Sequence, residues 1–253
     1  MCSSDLRSGV LVPERPLRVL DVGAGPLTAS IALALSTRQP LDVVAFDRSE
    51  AILADGVAVL RALRPEVKVR TVVGNVRHGR DWQAVGGPFD LVLASHVLNE
   101  WSVGGAKSQS AAEFVAQMLE QRLAPHGSVV LVEPGTRDGS RRLIEVREHL
   151  GAVLPELAIL SPCLGPGPCP LAGDGRDWCH GERPWQRPEV VQALDAAIGH
   201  ARPPRNFSCR RAFEALFGKD RPCGLKQTFF LQFAAGGSGR SLGRRGEGHG
   251  LLL

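Results

Sequence analysis

Leu17-Arg18-Val19-Leu20-Asp21-Val22-Gly23-Ala24-Gly25-Pro26-Leu27 is the stretch that decides the fold of this 253-residue chain. Its first six residues form a short apolar run of strand character, and a turn with two glycines follows at once. Glycines in such a turn let the backbone pass close to a ligand with no side chain in the way. Leu27 to Leu35 then reads as a buried helix.

The same alternation continues downstream. Leu41 to Asp47 is a second strand ending in an acid, and Glu50 to Leu63 a helix with Ile52, Val57, Leu60 and Leu63 on its apolar face. Val67 to Val73 is strand three, closing on Gly74-Asn75. Pro88 to Ala94 is strand four and runs on into Ser95-His96-Val97-Leu98-Asn99-Glu100-Trp101. Ala111 to Leu123 is an amphipathic helix, buried through Phe114, Val115, Met118 and Leu119. Pro125-His126-Gly127 ends it before strand five, Ser128 to Glu133, and a further helix lies near Arg141 to Leu150. Five alternations with near-continuous apolar strands predict a parallel sheet covered on both faces. Beyond residue 160 only Gln227 to Phe233 resembles a strand, a candidate for the last of the sheet.

The glycine turn also narrows the ligand. A pyrophosphate fingerprint wants a third small residue for helix–strand packing, and Pro26 and Leu27 stand in its place. S-adenosylmethionine carries no phosphate, so a shorter Gly-x-Gly turn suffices for it. The expected architecture is therefore a Rossmann-like class I S-adenosylmethionine methyltransferase fold with a Cys-rich metal-binding loop inserted. Asp21, Gly23, Ala24 and Gly25 form the expected cofactor turn. Asp47 is placed to accept from both ribose hydroxyls, Asn75 to meet the adenine, and Ser95 to lie at the carboxyl edge where such sheets bind ligands. His96, Asn99 and Glu100 are the candidate catalytic residues. His96 has the chemistry of a base, but a histidine at a strand end is also commonly a hydrogen-bonded structural residue. No Asn-Pro-Pro-Tyr-like acceptor motif follows strand four, and the chain has no tyrosine.

Domain organisation follows from texture. Residues 17–160 form the Rossmann-like domain, 161–188 a Pro-, Gly- and Cys-rich segment, 189–235 a basic region completing the sheet, and 236–253 a flexible tail. Residues 1–16 read as a leader, in part an assembly artefact, because a common sequencing-adapter string encodes Met1 to Leu6. A truncated N-terminus is the corresponding expectation. No stretch suggests a membrane span or a secretion signal, which points to a monomeric protein of the bacterial cytoplasm or, in a eukaryote, the mitochondrial matrix. From Arg202 to Lys226 seven Lys and Arg residues face Glu214 and Asp220 alone, within a net charge of +4. Such a stretch suits a phosphate backbone, and equally a solvated basic surface.

Cysteine usage is uneven. Residues 3–162 contain none, whereas Cys163, Cys169, Cys179, Cys209 and Cys223 follow close together. Without a secretion signal, this clustering favours a metal site over disulfides. Ser161-Pro162-Cys163, Cys169-Pro170-Leu171 and Asp177-Trp178-Cys179-His180 place three thiolates where one loop can wrap a centre. Iron–sulfur clusters and structural zinc both want four such ligands, the fourth being Cys223 or Cys209, with His180 an outside candidate.

These cysteine motifs, with Leu20-Asp21-Val22-Gly23-Ala24-Gly25-Pro26, Val97-Leu98-Asn99-Glu100 and Val132-Glu133-Pro134-Gly135-Thr136, resemble the methyltransferase-like protein 17 family. The resemblance runs from about Leu17 to Trp185. It implies an S-adenosylmethionine-type fold carrying a 4Fe–4S cluster and acting on small-subunit rRNA, or in assembly or translation of the small ribosomal subunit. Cys163, Cys169 and Cys179 match three cluster ligands. The family's fourth lies further on, where the pattern fades after about Phe207; Cys223 is taken here, with Cys209 as the alternative. Leu164 and Gly165 stand where the family usually has a histidine, which removes an outer contact and not a ligand.

Overall fold

The computed structural model describes residues 15–100, 110–161, 168–173, 178–179, 189 and the backbone of 228–235. Its elements are β1 (Leu17–Val22), α1 (Thr28–Ser36), β2 (Leu41–Asp47), α2 (Glu50–Leu63), β3 (Lys68–Val73), β4 (Phe89–Ser95), α3 (Ala111–Arg122), β5 (Leu123–Pro134), α4 (Arg137–Val153), β6 (Leu157–Ser161) and β7 (Thr228–Ala235). They build a seven-stranded sheet in the order β3-β2-β1-β4-β5-β7-β6. The pairs β3–β2, β2–β1, β1–β4 and β4–β5 are parallel, and β7 lies antiparallel between β5 and β6.

Side chains alternate across the strands, so each strand feeds two cores. Leu20, Val22, Val44, Phe46 and Leu131 join Phe114, Val115, Met118, Leu119, Leu143, Val146 and Leu150 of α3 and α4 on one face. Val19, Val43, Ala45 and Val130 join Leu33 and Ala34 of α1 and Leu53 and Leu60 of α2 on the other. A 3₁₀ segment, Gly79–Ala84, closes the first core by inserting Trp82 between Phe46 (ring centroids 4.9 Å apart) and Phe114 (5.8 Å).

Helix starts follow capping chemistry. Ser110 and Glu113 form a reciprocal capping box at α3, with bonds of 3.1 and 2.8 Å. The Ser49 hydroxyl accepts from Ile52 N–H at α2, and the Thr136 hydroxyl from Gly139 N–H at α4.

The structure departs from the sequence reading in five places. In α2 the inward positions are Leu53, Gly56 and Leu60, whereas Ile52 and Leu63 are 44% and 49% exposed. Helix α4 spans Arg137–Val153, beyond the expected 141–150. Strand β5 starts at Leu123, and the Pro125-His126-Gly127 stretch becomes a register irregularity opposite Phe89 and Leu91. Strand β6 was not expected at all: its five residues pair only with β7 at the sheet's edge, too short a run to announce itself. Arg15, placed in the leader, reaches the Asp90 carboxylate with bonds of 2.8 and 2.7 Å. No helix among the described residues is long and apolar enough to cross a membrane.

Candidate functional site

Strand register assembles the site. Val22 pairs with Phe46 on one side and Ala94 on the other, and Asp47 pairs with Val73. Gly23, Asp47, Gly74 and Ser95 therefore line one edge, the carboxyl edge of the parallel strands. The two glycines of the turn answer to different constraints. Both have positive φ, 62° at Gly23 and 50° at Gly25. A Cβ on Gly23 would meet Val97 Cγ2 at 2.5 Å, whereas a Cβ on Gly25 would meet nothing within 4 Å. Gly23 is thus required by packing as well as by backbone conformation, and Gly25 by backbone conformation alone, with open space above the turn. Leu27, where a further glycine is usual, holds φ 59° and is fully buried. The left-handed backbone is kept even though the residue is not glycine.

Asp47 ties the turn down. Its Oδ2 accepts the Gly25 amide at 3.0 Å and its Oδ1 the Ser49 amide at 2.9 Å. The Gly74 amide donates to the Asp47 carbonyl at 2.9 Å, and Ala24 N–H to the Phe46 carbonyl at 3.1 Å. A carboxylate has further lone pairs after those two bonds. Asp21 faces the other way: it is 1% exposed, and its Oδ2 takes the Ser30 hydroxyl at 2.5 Å and the Ser30 amide at 3.2 Å. Burial pushes its pKa up to about 6, against the opposing Ser30 hydrogen bonds. Asp21 thus anchors α1 from beneath the turn that it was expected to help form.

Asn75 follows β3, half-buried, with its amide donating to Asp81 Oδ2 at 2.9 Å and its side-chain oxygen accepting Arg77 N–H at 3.0 Å. Asp81, which the sequence did not single out, organises this corner.

The turn after β4 carries the three catalytic candidates. His96 is exposed, sits at φ 59°, donates its amide to the Val132 carbonyl at 2.7 Å, and has its pKa lowered by partial desolvation. Asn99 is exposed, and Glu100 lies in the 3₁₀ turn Leu98–Glu100. The centre of the turn is a residue that sequence reasoning missed. Glu133, fully buried at the end of β5, accepts Leu98 N–H at 2.7 Å and Asn99 N–H at 2.9 Å. Burial pushes its pKa up to about 7, opposed by those two amides and by Arg142. The rule that picked out Asp47, an acid at a strand end, would have found it.

Of the five cysteines in the cluster, Cys169 and Cys179 lie among the described residues; Cys163, Cys209 and Cys223 lie outside them, as does His180. Cys169 and Cys179 are both half-buried. Both segments dock on α4. Cys169 N–H donates to Glu148 at 2.9 Å, and the Ser140 hydroxyl to the Cys179 carbonyl. Trp178 Nε1 donates to the Gly135 carbonyl at 2.9 Å. A cleft of about 730 Å³ separates the middle of α4 from the turn at 172–173, lined by Arg141, Glu145, Glu148 and His149. Among the described residues no three His, Cys, Asp or Glu side chains are grouped to hold a metal, so the expected metal loop is represented by two of its thiols.

Comparison with solved structures gives the fold. The chain is similar to a protein described as a sarcosine dimethylglycine methyltransferase from Galdieria sulphuraria, with 15% identity, 89% of this chain and 80% of that chain covered, and a TM-score of 0.50. It is also similar to the (4+2)-cyclase SpnF, with 16% identity, coverage of 89% and 76%, and a TM-score of 0.51. The fold is the parallel-sheet class I methyltransferase fold, and one relative described as a cyclase shows that this fold alone does not fix a reaction. A search of curated protein sequences gave no significant match. The model of a methyltransferase-like family, described as "Mitochondrial small ribosomal subunit Rsm22", matches residues 10–197, and the chain belongs to that family.

Proposed function

We propose that this chain is an S-adenosylmethionine-dependent, methyltransferase-like protein that acts on or assembles the small ribosomal subunit. One observation carries the cofactor reading: Asp47 bonded to the Gly25 amide at the carboxyl edge, beneath the open space that the missing Gly25 side chain leaves. Gly23, Ala24 and Gly25 would face the methionine moiety, Asp47 the ribose hydroxyls, Asn75 the adenine, and Ser95 the acceptor side, with Asp21 supporting from below. The cofactor supplies an electrophilic methyl group, and the chain's part is to align it. His96, with its lowered pKa, is neutral near pH 7 and suited to take a proton from an acceptor that carries one.

The family supports the ribosomal partner, and the basic stretch Arg202 to Lys226 supplies charge for rRNA. The compartment would be the mitochondrial matrix in a eukaryote and the cytoplasm in a bacterium. A 4Fe–4S cluster held by Cys163, Cys169, Cys179 and Cys223, or Cys209, belongs to the same reading. Two half-buried thiols whose segments are tied to one helix fit such a group. Zinc on the same thiolates is the alternative, in a small-molecule methyltransferase.

A second reading is favoured by the turn after β4, where the buried Glu133 carboxylate and the Leu98 and Asn99 amides bond one another and hold structure. This reading is an assembly or translation factor that binds the cofactor without turnover. Calorimetry with S-adenosylmethionine should show saturable binding that Asp47→Ala weakens at least tenfold; no binding by the wild-type protein overturns the cofactor site. Methyl transfer to isolated small subunits separates the two readings. Anaerobic iron, sulfide and zinc analysis decides the metal.

A further inference from the structure

The turn after β4 is held at the carboxyl edge by the neighbouring strand β5 and by α4. Glu133 takes the Leu98 and Asn99 amides, and Arg142 of α4 donates to the Leu98 carbonyl. Both partners belong to the corner where β5 passes into α4. That corner is closed tightly: a Cβ on Gly139 would lie 2.4 Å from the Pro134 carbonyl oxygen, and the fully buried Ser140 hydroxyl donates to the Cys179 carbonyl. Cys179 itself packs on the core that α3 and α4 share with the sheet. Trp178 completes the clasp by donating from its indole to the Gly135 carbonyl at 2.9 Å, 43 residues away in the chain. In front of the corner, Val97 lies against Gly23 of the cofactor turn, with no space between them for a methyl group.

We infer that Trp178 is a positioning residue for the acceptor edge of the cofactor cleft: its bond to Gly135 fixes the β5–α4 corner, and the corner sets the 96–100 turn against Gly23. The inference rests on the cofactor reading proposed above. A packed corner of this kind has few intermediate arrangements, so loosening one anchor is felt at the turn and not absorbed between. The indole contact is a single hydrogen bond to a backbone carbonyl, and removing it should shift the local opening equilibrium by about fivefold.

The test uses the full chain, with hydrogen exchange read at the Leu98 and Asn99 amides and S-adenosylhomocysteine affinity read by calorimetry. Trp178→Phe keeps the ring and loses the donor; Arg142→Met removes the contact to Leu98 directly. Both should speed exchange at Leu98 and Asn99 about fivefold and weaken S-adenosylhomocysteine by a similar factor. Leu60→Ala, a core truncation on the opposite face of the sheet, should leave the two amides and the affinity near wild type. Unchanged exchange in Trp178→Phe overturns the inference, as does faster exchange with unaltered affinity, or an equal response in Leu60→Ala. Wild-type protein that takes up no S-adenosylhomocysteine overturns the cofactor reading instead, and the inferred clasp is then judged on the two amides alone.

Discussion

Leu27 shows how much a single residue can hide. A non-glycine residue at φ 59° costs roughly 1–2 kcal/mol, while its fully buried side chain fills the space between α1 and α2. Loss of a buried leucine costs about 2–5 kcal/mol, so the packing term wins. Leu27→Gly should therefore lower stability in urea unfolding, although it restores the residue expected of the turn. Gly25→Ala should cost only the roughly 1–2 kcal/mol of its left-handed backbone, because its Cβ meets nothing, and reduce cofactor affinity by entering the open space above the turn. Gly23→Ala should destabilise the protein outright, through Val97. Gly23, Gly25 and Asp47 were legible in the sequence because strand-end position and residue type suffice to find them. The opposite loyalties of the two glycines were not, since Val97 reaches Gly23 only through the folded sheet.

The buried carboxyls Asp21 and Glu133 have a pH signature at the same scale. Folding raises the pKa of Asp21 to about 6 and that of Glu133 to about 7. A raised carboxyl pKa contributes stability that is complete below the unfolded value and lost as pH climbs through the folded one. Stability should therefore decline from about pH 4 to about pH 7, with Asp21 accounting for on the order of 3 kcal/mol of that decline. Asp21→Asn should flatten the part between pH 4 and 6, read as urea midpoints across pH. An unchanged slope in that variant would show that Asp21 titrates normally.

At the level of elements, α2 carries the clearest consequence. Gly56 lies against Pro26: a Cβ there would sit 2.5 Å from the Pro26 carbonyl carbon and 2.6 Å from its oxygen. Helix propensity alone would gain about 1 kcal/mol from Gly56→Ala. The clash is with backbone, which cannot swing aside, so crowding at about 1–3 kcal/mol outweighs the gain. The variant should melt lower and bind cofactor less well, because the pressure falls on the glycine turn. This contact also explains the misread face of α2. Periodicity ranked Ile52 and Leu63 as core, while the inward position went to a residue with no side chain at all. Hydrophobic pattern reports what a helix can bury, not how close a neighbouring turn will come.

For the whole molecule, five parallel strands and their order of appearance were legible because most are apolar runs with a helix after them; β3, with Lys68 and Arg70 and a 3₁₀ segment behind it, is the exception. The edge formed by β7 and β6 was half legible. Gln227 to Phe233 reads as a strand, but its antiparallel insertion between β5 and β6 depends on pairing between segments far apart in the chain. Removing residues 228–253 should leave β6 without its partner and expose the edge of β5. Such a truncation should unfold with lower cooperativity and aggregate, as followed by light scattering during thermal unfolding.

The place of β7 also orders events in time. Its backbone arrives about 67 residues after β6 has been made, which at roughly 5–20 residues per second leaves an interval of about 3–13 s during synthesis. Throughout that interval the hydrogen-bonding edge of β5 lacks its partner, while the segment bearing Trp178 and Cys179 is translated early in it. The nascent protein therefore has a window in which a chaperone, or a mispaired strand, competes for a slot that only β7 should fill.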